Sequence, residues 1–173
     1  MSESAAMTPE ELFQCLDGMG IAHNTVDHPP LFTVQQSREL RGELPGAHVK
    51  NLFLRNKKGK MWLVTCLEDR KIDLKLLRQE LGTSSLSFCS PEMLMQYLGV
   101  VPGAVSPFGV ANDRDSKVQV VLDSALLEID PLNFHPLDNR RTTAVCAQDL
   151  VRFLDSTGHS PMFMDFDATQ TGS

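Results

Sequence analysis

Lys50 is set in the run His48-Val49-Lys50-Asn51-Leu52-Phe53-Leu54-Arg55, which is followed by the polar stretch Asn56-Lys57-Lys58-Gly59 and a second apolar run from Lys60 to Leu67. Two runs rich in β-formers around a polar turn ending in glycine predict a β-hairpin. Side chains alternate faces along a strand, so Lys50 shares a face with Leu52 and Leu54, while Asn51 joins Val49, Phe53 and Arg55 on the other. A lysine on an apolar face has two explanations. Either its ammonium snorkels to water from the start of the strand, or it stands at the rim of a pocket as a point charge for phosphate or carboxylate.

A second stretch able to do chemistry is Val100-Val101-Pro102-Gly103-Ala104-Val105-Ser106-Pro107-Phe108-Gly109. Its prolines and glycines predict a loop of fixed turns, yet its valines and phenylalanine are too apolar for an ordinary solvent loop. Such a loop can aim backbone N–H groups at an oxyanion or a phosphate; it can equally be a tight crossover packed on the core. His135, in Asn133-Phe134-His135-Pro136-Leu137, is either a pocket wall or a turn histidine bonded to backbone. His23, His28, His48 and His159 have no metal-ligand spacing, so no metal and no cofactor are expected. None of the usual nucleophile or zinc-protease signatures is present.

Composition bounds what these residues can serve. A chain of 173 residues, 42% hydrophobic and 22% charged, fits one globular domain. No apolar run approaches the roughly 18 residues that span a bilayer. Residues 1–6 lack the basic and apolar regions of a signal peptide, so a cytoplasmic location with no membrane association is expected. Cys15, Cys66, Cys89 and Cys146 are far apart and read as reduced and structural. The net charge of −6 argues against a general nucleic-acid binder. It leaves room for a local grip through clustered cations: Arg55, Lys57, Lys58 and Lys60 surround the hairpin turn, and Arg70, Lys71, Lys75 and Arg78 follow. These cations either meet a polyanion or form an ordinary solvated face.

The elements that must position these residues follow from local signals. Thr8-Pro9-Glu10-Glu11 is a capping box that opens a helix ending near Gly18 or Gly20. A strand over 24–27, a second helix from Thr33 through Leu40 and the hairpin come next, with Met61 to Val64 apolar on both faces as in a central strand. Asp73 caps a helix over 74–81 stopped by Gly82. A strand over 86–88 and a helix from Ser90-Pro91-Glu92 to Gly99 precede the loop. Strands are expected over 118–122, 126–129, 142–146 and 162–166, with the last helix over 149–154. Alternating helices and strands predict a mixed α/β domain over 1–173, with 1–7 and 168–173 flexible.

Lys50-Asn51, the G-x-x-x-P loop from Gly103 to Pro107, and Asn133-Phe134-His135-Pro136 stand in an order that resembles one family. It is that of the free-standing prolyl-tRNA editing proteins, the YbaK/ProX-like aminoacyl-tRNA deacylases, related to the editing domain of bacterial prolyl-tRNA synthetase. His28-Pro29-Pro30 and Phe32-Thr33 are also in that style, and the similarity extends from about Thr8 to Phe166. The resemblance implies an α/β fold with a curved mixed sheet surrounded by helices, and hydrolysis of the ester joining a wrong amino acid to prolyl-tRNA. For the subgroup with Asn-Phe-His-Pro it implies alanine. Carried over residue by residue, it gives Lys50, Gly103 and Pro107 the catalytic positions, and His135 and Asn51 substrate-binding ones.

An aminoacyl ester is activated, so positioned water and oxyanion donors suffice without a serine or cysteine nucleophile. Backbone N–H groups near Gly103 would hold the carbonyl, Lys50 the phosphate or ribose of the terminal nucleotide. A pocket built for proline cannot firmly exclude alanine; a second, smaller one admits only alanine. Phe32, Leu52, Leu54 and His135 are candidates to line it. The rivals are a deacylase for cysteinyl or another small aminoacyl-tRNA, and a non-catalytic adaptor docking tRNA or synthetase. Expected partners are the acceptor end of mischarged tRNA(Pro) and, as assistants, prolyl-tRNA synthetase or an elongation factor.

Overall fold

The computed structural model describes residues 6–28 and 45–169. The helix expected over 33–40 and Phe32 lie outside these residues. Helix α1 (Pro9–Gly18) opens as its capping box dictates: the Thr8 hydroxyl accepts from the Glu11 N–H, and the Glu11 carboxylate accepts from the Thr8 N–H. The Met7 N–H donates to Asn112 Oδ1 at 2.8 Å.

Strands β1 (Asn24–Asp27), β2 (Ala47–Arg55), β3 (Met61–Leu67), β4 (Ser87–Phe88), β5 (Val118–Asp123), β6 (Leu132–Phe134), β7 (Arg141–Val145) and β8 (Met162–Met164) form one mixed sheet. Its order is β1-β7-β6-β2-β3-β5-β8, with β4 attached to β2. The predicted hairpin is β2–β3, antiparallel from Val49 opposite Leu67 to Arg55 opposite Met61. β3 lies between β2 and β5, which accounts for its apolar side chains on both faces. β2 meets β6 in parallel only through Ala47 and His48, and β4 only through Leu54 and Arg55. Between those contacts the edge of β2 is free of strand partners, and the sheet parts there.

The two faces carry separate cores. One is covered by α1, by α4 (Ala147–Ser156) and by the 3-10 turns around Phe108 and Leu126, which pack on Phe53, Leu63, Val120 and Phe134. The other holds Leu54, Trp62, Val64, Cys66 and Val121 beneath Leu77 of α2 (Leu74–Leu81) and Phe166 of α5 (Phe166–Thr169). α2 has its Asp73 cap and its left-handed Gly82 stop.

Four expectations need correction. Residues 124–128 form a 3-10 turn, because the Asp123 side chain accepts from the Ala125 N–H and caps a turn. The segment after Ser90 is α-helical only over Pro91–Met93, labelled α3, and continues as a π turn over Leu94–Leu98 to the left-handed Gly99. Asn133 and Phe134 belong to β6 rather than to a turn. Strand β8 ends at Met164, before α5.

Candidate active site

Asn51 lies on the stretch of β2 between its pairings with β6 and β4. Asn51 faces the first core, as alternation requires, and its amide is used at both ends. Nδ2 donates to the Val105 carbonyl at 3.0 Å, and Oδ1 accepts from the Thr65 hydroxyl at 2.6 Å across the hairpin register. Thr65 is fully buried, so this bond forms in a low-dielectric surrounding where losing it is costly. Asn51 thus ties the Gly103–Pro107 loop to the central strand.

The loop is shaped from within. Ala104 N–H donates to Val101 O at 3.1 Å, and the buried Ser106 hydroxyl accepts from Phe108 N–H at 3.0 Å. Pro107 opens a 3-10 helix over Pro107–Asn112, where its missing N–H costs nothing. Gly103 has φ +92, a region open to glycine and strained for other residues. It is exposed, and neither its N–H nor that of Val105 has an acceptor among the described residues.

The Asn-Phe-His-Pro segment meets this loop through an aromatic contact. Phe108 stands edge-on to Phe134 at 5.7 Å and to Phe153 of α4 at 5.3 Å. Asn133 donates to the carbonyls of Pro45 and Ala47 at 2.9 and 3.0 Å, which fixes the entry of β2. His135 is bonded through Nδ1 to the Arg141 carbonyl at 3.1 Å. A carbonyl only accepts, so Nδ1 carries the proton and Nε2 is left as an acceptor. Burial, first among its causes, pushes the His135 pKa below its ordinary value, and the nearby His28 acts in the same direction. The His28 and His135 rings lie edge to face at 6.3 Å, and His28 Nε2 shares a hydrogen bond with the Thr142 hydroxyl at 2.9 Å. Asn139, in the turn after Pro136, comes within 3.7 Å of where a Cβ on Gly103 would be.

Lys50 is placed differently. Its ammonium donates to the Arg70 carbonyl, on the face of β2 that also carries Leu52 and Leu54. Arg70 is itself clamped: its guanidinium bonds the buried Asp123 and, at 2.7 Å, Asp167, and these carboxylates hold it firmly protonated. Leu54 is 0% exposed, and Leu52 packs beside it in the second core. The expectation that these leucines line a pocket with His135 is therefore corrected: strand alternation directs both away from Asn51 and toward α2 and α5.

Thr65, Val105, His28, Thr142 and Asn139 are the partners that sequence reasoning missed. A threonine within the apolar run 61–67, opposite Asn51 in the hairpin register, was the available signal for the first. Cysteine chemistry is disfavoured here, because burial raises the thiols of Cys66 and Cys89 to about 11. Among the described residues no cluster of three or more metal-ligating side chains occurs, and no helix is long and apolar enough to cross a membrane.

Residues 28–153 match the model of the aminoacyl-tRNA editing domain. The chain belongs to the aminoacyl-tRNA editing domain family. It is thereby an aminoacyl-tRNA deacylase, and the matched span includes Asn51, the Gly103–Pro107 loop and His135. The chain is 38% identical over 146 residues to the prolyl-tRNA editing protein ProX of Acetoanaerobium sticklandii, covering 84% of this chain and 89% of that protein. It is 40% identical over 162 residues to the prolyl-tRNA synthetase associated domain-containing protein 1 of Mus musculus, covering 91% and 95%. A crystal structure described as a candidate trans-editing enzyme for prolyl-tRNA synthetase superimposes with a TM-score of 0.69 at 21% identity, over 93% of this chain and 98% of that one, and so shares the editing-domain fold.

Asn51→Ala removes the tie between the loop and β2 and leaves Thr65 and the Val105 carbonyl without their partner. The editing domain should lose about 1–3 kcal/mol of stability and most of its deacylase rate, read by denaturant unfolding and single-turnover assay. A rate within twofold of wild type would show that the tie does not position the loop.

Proposed function

We propose that this protein edits mischarged prolyl-tRNA in trans, removing alanine from tRNA(Pro). Two contacts support this reading, the tie of Asn51 to Val105 of the Gly103–Pro107 loop and the Phe108–Phe134 contact between that loop's end and the residue before His135, in a chain similar to a prolyl-tRNA editing protein. The aminoacyl ester carbonyl would rest against the N–H groups of Gly103 and Val105. Water attacks the carbonyl carbon, the oxyanion is held by those donors, and the ester C–O bond breaks. The proton given up by water ends on the departing ribose oxygen, so alanine and an intact tRNA leave. The terminal ribose hydroxyl helps to orient the water.

In this reading His135 offers Nε2 as an acceptor to the substrate's amino group or the attacking water. Lys50 lies on the other face of β2 from Asn51, so its ammonium would leave the Arg70 carbonyl and pass the strand's unpaired edge to reach the phosphate or ribose of the terminal nucleotide. Work on charged tRNA places the protein where translation occurs, with prolyl-tRNA synthetase or an elongation factor as the suppliers of substrate.

The test is deacylation of alanyl-, cysteinyl- and prolyl-tRNA(Pro) by the wild-type protein. Selective loss of the alanyl ester is the expected result. Preferential loss of the cysteinyl ester would reassign the substrate, and no hydrolysis of any of the three by folded protein would overturn the reading.

His135 also sets a pH dependence. The folded protein gives up the His135 proton at a lower pH than the unfolded chain does, so the unfolded state binds more protons in the interval between the two pKa values. The stability from keeping His135 neutral is fully present above about pH 6.5 and is lost as pH falls through the folded value. Nε2 is protonated in the same window, so the acidic limb of the deacylation profile should lie below pH 6.5 and be absent in His135→Gln. An acidic limb unchanged in that variant would remove His135 from the reaction.

A further inference from the structure

An acidic protein that handles tRNA needs a local means of meeting phosphates, and the far end of the β2–β3 hairpin supplies one. Resting on the editing function above, we infer that the hairpin tip and the turn before β5 form a docking surface for the RNA phosphate backbone. Arg55, Lys57, Lys58 and Lys60 occupy six consecutive positions with no acidic residue among them. Parallel pairing of β3 with β5 sets Met61 opposite Val118, which brings Lys60 beside Lys117. Lys57, Lys58, Lys60 and Lys117 are exposed, in a chain whose net charge is −6.

The acids of this end offset only part of that charge: Asp115 and Asp155 are exposed, and Asp155 accepts from the Ser160 hydroxyl at 2.8 Å. Asp113 is turned inward, where it accepts from Val118 N–H at 2.8 Å and pairs with the buried His159 at 2.9 Å. Asp115 is the exposed acid within the 113–117 turn. A groove lies between the two strands' ends, walled by Lys60 and Lys117 and floored by Ser116, Gly158 and Ser160. The lysine ammonium groups and the Ser116 hydroxyl around this open groove suit phosphate oxygens.

The tip is held in shape rather than left loose. The buried Asn56 carboxamide accepts from the N–H groups of Lys58 and Lys60 at 3.0 and 2.9 Å and donates to the Thr83 hydroxyl at 2.9 Å. Gly59, at φ +89, closes the turn, and the Lys60 ammonium lies 5.3 Å from the ring centre of the buried Trp62. Cations already fixed in place lose less freedom when they bind. Asn56 follows Asn51 by five positions, roughly 17 Å at the rise of a strand. The 3-10 helix Pro107–Asn112 links the catalytic loop to the 113–117 turn. RNA whose 3′ end enters the site therefore has a few nucleotides in which to reach this surface.

The experiment measures binding of uncharged tRNA(Pro) to the full-length protein across a salt series, for wild type and the variant Lys57→Gln/Lys60→Gln/Lys117→Gln. A parallel assay follows hydrolysis of a short aminoacylated 3′-terminal oligonucleotide. The variant should bind tRNA about tenfold more weakly at low salt, with the slope of log K against log salt reduced by about 2–3, while the short substrate is cleaved at the wild-type rate. Unchanged affinity and slope would overturn the docking surface. Failure of wild type on the aminoacyl substrates would overturn the editing reading instead, and the tRNA binding series would still decide the surface.

Discussion

Replacing Phe108 with alanine is expected to lower the free energy of unfolding by about 3–5 kcal/mol. Phe108 is 0% exposed, and its ring is held edge-on between Phe134 and Phe153. Truncation removes apolar burial, two aromatic contacts and the filling of a space that neighbours on three elements cannot close together. The effect should reach function as well. Phe108 follows the Gly103–Pro107 loop directly and Phe134 precedes His135, so this one contact spaces the two motifs. Phe108→Leu keeps most of the volume and should cost less than half as much. Urea unfolding gives the numbers, through a lower midpoint at unchanged slope. A loss below 1 kcal/mol for Phe108→Ala would mean that the loop and the His135 segment are positioned by something else.

Gly103→Ala is expected to reduce the single-turnover deacylation rate by about 100-fold, with a stability loss of only about 1 kcal/mol. Space is not the reason, since a Cβ at Gly103 would find its nearest neighbour, Asn139 Nδ2, at 3.7 Å. The reason is φ +92, which an L side chain resists, so that relaxation of the strain turns the local N–H groups away from their present direction. Donors aimed at a developing oxyanion lose their value with small displacements. The rate and the unfolding curve must therefore be measured on the same preparation. A rate within threefold of wild type at this glycine would contradict backbone stabilisation of the oxyanion by this loop.

Much of the architecture was legible because its signals are local. The Thr8 capping box, the Asp73 cap with its Gly82 stop, and the hairpin around Asn56-Lys57-Lys58-Gly59 all form as their residue types require. The errors fall where a distant or competing partner decides. Leu126 to Ile129 is apolar apart from Glu128, but Asp123 caps a 3-10 turn before a strand can start. The segment over 94–98 has helical periodicity, and only its packing reveals the π turn.

The site follows the same division. Alternation along β2 separates Lys50, Leu52 and Leu54 from Asn51 without any structure, but which face receives the Gly103–Pro107 loop depends on the Val105 carbonyl, 54 residues away. That is why the two leucines are credible pocket residues in sequence, while in the fold Leu54 is a core residue and Leu52 packs half-buried beside it. The Phe108–Phe134 contact and the neutral tautomer of His135 likewise depend on pairings that no spacing in the chain announces.

The most direct measurement is single-turnover hydrolysis of alanyl-tRNA(Pro) by wild type and Lys50→Ala, with folding of both checked by their unfolding curves. Rapid loss of the alanyl ester is expected with wild type, and a rate lowered by at least tenfold in a variant that remains folded. A folded wild type that leaves alanyl-tRNA(Pro) intact would contradict the alanine-editing function, and a fully active Lys50→Ala would leave Lys50 as a strand residue anchored to the Arg70 carbonyl.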